Sequence, residues 1–275
     1  MHYSVLVIGN NIEEAMLPFH EYESTAYEEY VEEVDILEEV KNTVKENPND
    51  TIKELIESYY GFPVVRGNIN KKYKTGKYKY GYVLIDKEGK VVKAVQRTNP
   101  NSHWDGWEVG GRFSNQLITK SNVKTNSALK QDLDFEKMGL VEKQKAEYYY
   151  DSVAYLYPKM DWQSLEKCKQ ECCNQSDAFG IYGSQEVFKI IRSLDPLFFS
   201  TYIANWSSKK FDMLLLGKQD FVNAKRMVTP YAVLKDGEWY EKDMSKDEIV
   251  WIKEFDSLVD SVQDDELLTM VDCHV

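Results

Sequence analysis

Cysteine is scarce in this chain of 275 residues, which contains only Cys168, Cys172, Cys173 and Cys273. The first three lie in a segment with helical periodicity, where neighbouring side chains point in different directions and do not form a simple disulfide. A zinc site needs paired clusters of cysteine or histidine at fixed spacing. The remaining cysteine lies far along the chain, so the sequence predicts reduced thiols, no metal site and no cofactor.

Long apolar runs and catalytic signatures are also missing. No stretch approaches the roughly 18 apolar residues that cross a membrane, and the first residues lack the basic and apolar regions of a signal peptide. We therefore expect a cytoplasmic protein without a membrane partner. The chain has no phosphate-binding P-loop, nucleophile elbow or His-Glu-x-x-His motif, so the sequence favours a binding protein over an enzyme.

Charge is unevenly distributed along the chain, whose formal net charge is −12. Residues 1–60 contain 15 acidic and 3 basic residues, residues 61–130 contain 4 and 14, and residues 131–275 contain 27 and 17. A negatively charged protein repels phosphates at long range, so non-specific nucleic-acid binding is not expected.

The acidic first segment predicts a surface for a basic partner protein. The candidate contacts are Glu28, Glu29, Glu32, Glu33, Glu38 and Glu39. The alternative is that the acidic and basic segments neutralise each other in the fold.

Hydrophobic periodicity predicts the first elements. The apolar run 3–8 predicts a central strand, and residues 12–17 predict a short helix. An amphipathic helix, interrupted near Asp35, is predicted from apolar residues at helical spacing: Tyr27, Tyr30, Val31, Val34, Leu37 and Val40.

Turn and cap signals organise the rest of the chain. Asp50 is expected to cap a helix that ends at Tyr60, before a glycine. Hairpins are predicted over residues 78–96 and 230–240. Residues 246–262 predict an acidic amphipathic helix, and residues 267–275 predict a closing strand.

Strands at both ends, hairpins and segregated helices predict an α+β fold with an antiparallel or mixed sheet, rather than a repeating βαβ array. Composition shifts near residues 120–135. This shift predicts an N-terminal region, 1–130, with acidic helices and a basic hairpin, and a C-terminal region, 131–275. One compact domain is the alternative.

The segment 103–114 is rich in residues suited to binding a nucleotide. Paired glycines let backbone N–H groups point at an anion, the adjacent arginine suits phosphate or carboxylate, and tryptophans stack on bases. The alternative is structural, with core aromatics and a glycine bulge. The candidate ligand-binding residues are His103, Trp104, Trp107, Gly110, Gly111, Arg112 and Ser114.

Residues 71–80 alternate lysine with tyrosine, a combination that suits a phosphate backbone with stacked bases. The favoured alternative is a solvated strand edge, where lysine discourages pairing with other chains. The candidate basic and aromatic residues are Lys72, Tyr73, Lys74, Lys77 and Tyr78.

The histidines give weak signals for chemistry. His103 lies near Asp105 and Glu108, which together offer an acid and a base, whereas His20 has no partner nearby in sequence. In the closing run 271–274, the aspartate and the histidine would share one face of a strand and the cysteine would lie on the other.

Five segments of the chain, residues 3–8, 17–21, 104–114, 229–234 and 271–274, together resemble a tailed-bacteriophage protein family with a WDxWxxGGRxS-like motif. That family often has tryptophan where this chain has Phe113, and an aromatic residue where it has Gly106. The resemblance implies a phage or prophage origin and a setting in the host-cell cytoplasm. It brings no assigned activity.

Three hypotheses about function follow from the charge pattern and the resemblance. The first is a host-directed binding protein that counteracts defence by blocking a nucleic-acid-binding or immune protein of the host. The second is a nucleotide-binding sponge or nucleotide-processing enzyme centred on Arg112. The third is a phage structural accessory protein.

Overall fold

The computed structural model describes residues 2–67, 76–153, 165–172, 175–186, 218–223, 228–243 and 248–275, together with residues 163, 189 and 193. The chain divides into two compact units. Met1–Tyr3, Asn11–Glu108 and Asp272–Val275 form the first, and Ser4–Asn10 and Val109–Val271 form the second. This division does not coincide with the predicted boundary near residues 120–135, because both ends of the chain belong with Asn11–Glu108.

The first unit contains a four-stranded sheet. Its strands are β2 (Glu32–Asp35), β3 (Val64–Arg66), β4 (Gly81–Ile85) and β5 (Val91–Thr98), in the order β2-β5-β4-β3. β5 pairs antiparallel with both β2 and β4, and β3 runs parallel to β4. The first predicted hairpin is confirmed as β4 and β5.

Four helices of the first unit precede this hairpin: α1 (Ile12–Met16), α2 (Tyr22–Thr25), α3 (Leu37–Glu46) and α4 (Ile52–Tyr60). α3 and α4 bury Val40 and Ile56 in a cluster with sheet residues that include Val83. Thr51, rather than the predicted Asp50, caps α4, because its hydroxyl accepts from the Glu54 N–H at 3.3 Å and donates to the Glu54 carboxylate at 2.7 Å.

The helix predicted from Tyr27 to Val40 is wrong over its first half. Ala26 and Tyr30 have φ of 58° and 65°, and Glu32–Asp35 forms β2 at the sheet edge. Tyr27 and Tyr30 are exposed rather than buried. Pairing with β5, which spacing along the chain does not reveal, decides the conformation of this stretch.

A second sheet has six strands: β1 (His2–Ile8), β6 (Gly106–Val109), β9 (Ser127–Leu129), β10 (Ala232–Lys235), β11 (Glu238–Glu241) and β12 (Leu267–His274). Its order is β11-β10-β1-β12-β6, and β9 pairs antiparallel with β12. β1 is central, as predicted, and parallel to β10. The second predicted hairpin is confirmed as β10 and β11, with Asp236 and Gly237 at φ of 54° and 78°. β7 (Leu117–Ile118) and β8 (Lys124–Thr125) form a separate pair.

The helices of the second unit are α5 (Phe135–Val153), α6 (Leu165–Glu171), α7 (Gln175–Ser184), α8 (Lys218–Asn223) and α9 (Glu248–Asp260). α9 confirms the predicted acidic helix and buries Trp251 and Phe255 in a cluster with Leu6 and Met270. Mixed and antiparallel sheets with separate helices confirm the α+β class. Of the described helices, none is long and apolar enough to cross a membrane.

Candidate functional site

The paired glycines form a tight turn at the end of β6. Gly110 has φ of 77° and ψ of −67°, a strained geometry that residues with a Cβ atom rarely adopt. Its N–H donates to the Met270 carbonyl at 2.8 Å, and its carbonyl accepts from the Phe113 N–H at 2.8 Å. The Gly110 N–H is therefore bound within the protein rather than directed at an anion.

Asn126 occupies the space beside Gly110. A Cβ atom on Gly110 would lie 2.3 Å from Nδ2 and 2.6 Å from Cγ of Asn126. The Asn126 side-chain oxygen accepts from the backbone N–H of Asn115 at 2.6 Å. Close packing against the Asn126 amide therefore explains the glycine.

The two tryptophans of the segment differ in exposure. Trp104 is 5% exposed, and its indole N–H donates to the Met16 carbonyl at 3.0 Å. Trp107 is half-buried and meets the Trp104 ring edge-on, with centroids 6.5 Å apart. Trp104 is thus a core residue, as the structural alternative for this segment proposed, and base stacking by this segment stays a prediction.

The polar residues of the segment are more accessible. Arg112 and Ser114 are exposed, and the Ser114 hydroxyl donates to the Gly111 carbonyl at 2.6 Å. They follow the glycines on one turn of 3-10 helix, Gly111–Phe113. Arg112 thus stands at the surface, whereas Gly110 and Trp104 are buried.

The residues predicted as acid and base have neighbours outside their own segment. The His103 ring packs on Phe19 with centroids 5.8 Å apart, whereas the Asp105 carboxylate lies 2.7 Å from Nδ1 of His274. Glu108 is exposed. The partner of Asp105 is therefore a histidine 169 residues away, which proximity in sequence does not reveal.

His20 has a structural role. It is fully buried, with Nε2 at 2.8 Å from the Glu29 carbonyl and Nδ1 at 2.9 Å from the Thr25 hydroxyl. Asn99 donates to the His20 carbonyl at 2.9 Å. Both ring nitrogens are thus used in holding the loop after α2.

The structure describes only Lys77 and Tyr78 of the predicted basic and aromatic patch. Lys72, Tyr73 and Lys74 lie outside the described residues. Lys77 is exposed, and its ammonium lies 5.0 Å from the ring centroid of the half-buried Tyr78. Whether the patch contacts nucleic acid stays a prediction.

Nearly all of the acidic residues near the start of the chain face solvent. Of the 15 acidic residues between positions 13 and 57, all except Glu21 are exposed. They include all six predicted partner contacts: Glu28, Glu29, Glu32, Glu33, Glu38 and Glu39. Exposed lysines of the same unit, such as Lys87 and Lys90, lie on the β4–β5 hairpin. The fold therefore keeps this negative charge at the surface.

Glu28 differs from its neighbours because it binds a buried arginine. Arg97 is 4% exposed and donates to Glu28 at 2.8 Å, to the Lys79 carbonyl at 2.7 Å and to the Tyr22 hydroxyl at 3.2 Å. The hydrogen bond from Arg97 lowers the pKa of Glu28, and burial raises the pKa of Tyr22 to about 12. Glu28 therefore also stabilises the fold through Arg97. The sequence did not predict this role.

Two of the described thiols are poorly placed for reaction. Cys168 and Cys273 are buried and free, and burial raises the pKa of both. Within the described part of the chain, no group of three or more His, Cys, Asp or Glu residues is arranged to hold a metal ion.

No protein-family model, curated protein or solved structure matches this chain. Its function must therefore be inferred from its own residues.

Proposed function

We propose that this chain is a binding protein that captures a basic partner protein through the acidic surface of its first unit. We define this acidic surface as Glu28, Glu29, Glu32, Glu33, Glu38 and Glu39. In the setting that the phage resemblance implies, the partner is a host protein whose basic surface otherwise holds nucleic acid. Blocking that surface would counteract host defence.

The exposure of the acidic side chains carries the proposal. Burial against the basic segment would have cancelled the charge, yet Glu29, Glu32 and Glu39 remain exposed on the loop after α2, on β2 and on α3. Exposed charges of one sign raise the rate at which an oppositely charged partner is captured.

The Arg97 site illustrates the chemistry that such a surface offers to a guanidinium group. Arg97 lies 5.6 Å from the ring centroid of Tyr22 while it pairs with Glu28. Carboxylate and aromatic groups bind arginine well because ion pairing and cation–π attraction act together. Exposed Tyr27 and Tyr30 stand beside exposed Glu29 in the same loop, which favours an arginine-rich partner.

The nucleotide hypothesis has weaker support. Asn126 fills the space beside Gly110, and Trp104 is buried with its indole N–H occupied. Arg112 alone is a poor basis for a nucleotide pocket, which needs several converging polar groups.

The test is capture of partner proteins from a bacterial host lysate by the intact chain and by a neutralised variant. The variant E29Q/E32Q/E38Q/E39Q raises the formal charge from −12 by four while sparing Glu28, which binds Arg97. Exposed ion pairs contribute about 0.2–1 kcal/mol each, so four losses should weaken binding at least about fourfold. We expect the intact chain to capture basic proteins. Double-stranded DNA should displace these proteins from it.

A matched control carries the same charge change on the second unit. The variant E136Q/E254Q/D264N/D265N neutralises four residues that are exposed there, and we expect it to capture the same proteins as the unmodified chain. Equal capture by both variants, or partners that DNA does not displace, would refute the acidic surface as the contact.

A further inference from the structure

Three segments that stand out in the sequence meet at one place in the first unit. His2 precedes the opening apolar run, Asp105 belongs to the glycine-rich motif, and Asp272 and His274 belong to the closing run. As expected for alternate strand positions, Asp272 and His274 both contact His2. The acidic binding surface does not involve these residues.

The four side chains form two histidine–aspartate pairs. Nδ1 of His2 lies 3.0 Å from Asp272, and Nδ1 of His274 lies 2.7 Å from Asp105. A carboxylate at Nδ1 fixes the proton on that nitrogen and leaves the lone pair on Nε2. Histidines that bind metal ions usually have this arrangement.

The two imidazole rings meet edge-on, with centroids 4.8 Å apart and an angle of 63° between the ring planes. Two imidazoles that bind one ion through nitrogen at about 2.1 Å place their ring centres about 5 Å apart when the angle at the ion is near tetrahedral. The observed separation is close to this value.

We propose that Nε2 of His2 and Nε2 of His274 bind one divalent transition-metal ion, of which Zn²⁺ is the representative. Imidazole suits zinc, copper and nickel ions, and water would complete the coordination because the described residues offer no third ligand in place. The side chains of His2 and His274 are 31% and 46% exposed, which gives the ion access.

The surrounding charges favour a cation. The Asp272 side chain is 1% exposed and that of Asp105 is 26% exposed, so both carboxylates act on the histidines with reduced screening by water. Cys273 takes no part because its thiol is fully buried and burial raises its pKa.

The experiment is calorimetric titration of the intact chain, free of any added affinity tag, with ZnCl₂ near pH 7.5. We expect one ion per chain, and at least a tenfold loss of affinity in both H2A and H274A. H103A is the matched control and should bind as the unmodified chain does. D105N should weaken binding by about 10–100-fold if the carboxylate orients His274.

A nitrogen-detected NMR titration of the unmodified chain keeps the proposal testable if a variant fails to fold. Zn²⁺ should shift the Nε2 resonances of His2 and His274 and leave those of His20 and His103 unchanged. The proposal is wrong if no binding occurs up to about 1 mM Zn²⁺. It is also wrong if H274A retains full affinity, because the site would then not depend on His274.

Discussion

Replacing Gly110 with alanine tests whether this glycine serves packing or ligand binding. At φ of 77° and ψ of −67°, a residue with a Cβ atom is strained by about 1–3 kcal/mol. The new methyl group would also lie 2.3 Å from Asn126, and overpacking of this kind costs about 1–3 kcal/mol. We expect G110A to lower the free energy of unfolding by about 2–6 kcal/mol.

A double-mutant cycle separates the two contributions. N126A alone removes the acceptor for the Asn115 N–H, at a cost of about 1 kcal/mol. In G110A/N126A the steric clash is gone and only the backbone strain remains. The double variant should therefore be more stable than the sum of the single variants predicts, by about 1–3 kcal/mol.

Urea unfolding followed by tryptophan fluorescence measures these differences. Gly106 is the matched control in the same motif, because a Cβ atom there meets nothing within 4 Å, and G106A should change stability by less than about 0.5 kcal/mol. The packing explanation fails if G110A is equally mild or if the cycle shows no coupling.

Two further predictions concern the first unit. T51A removes the cap of α4 and should lower the free energy of unfolding by about 1 kcal/mol in the same urea assay; a loss below about 0.3 kcal/mol would contradict the capping role. Arg97 lowers the pKa of Glu28, so the stabilisation from this pair is fully present above the unfolded pKa of about 4.3 and is lost as pH falls through the folded pKa. E28Q should therefore be less stable than the unmodified chain near pH 7, and the gap should close toward pH 3. A gap that is constant with pH would exclude the ion pair as its cause.

Local signals in the sequence were sufficient for several elements. The hairpin β10–β11 was predicted from the Asp236-Gly237 pair, because these residue types readily adopt the positive φ that such turns require. Gly61 and the apolar stripe of α9 gave equally local signals. These predictions succeeded because neighbouring residues alone select the conformation.

The candidate site could be predicted less well from the sequence. Trp104, Gly110 and Arg112 are close in the chain, yet the first two are buried against Met16 and Asn126 while the third is exposed. The sequence showed residue types that suit a nucleotide pocket. Where their side chains point depends on partners that lie elsewhere in the chain. Likewise, Tyr27 and Tyr30 have helical spacing but lie in a loop because β2 pairs with β5.

The sequence by itself determined the α+β class, the two hairpins, the closing strand and the concentration of acidic residues near the start. Each depends on composition or on contacts between near neighbours. Only the tertiary structure decided that those acidic residues stay exposed, that Asn126 fills the space at Gly110, and that His2 and His274 stand side by side. The two contacts join residues that are separated in the chain, and they form only when the strands pair. The exposure of the acidic residues depends on which surfaces the fold buries.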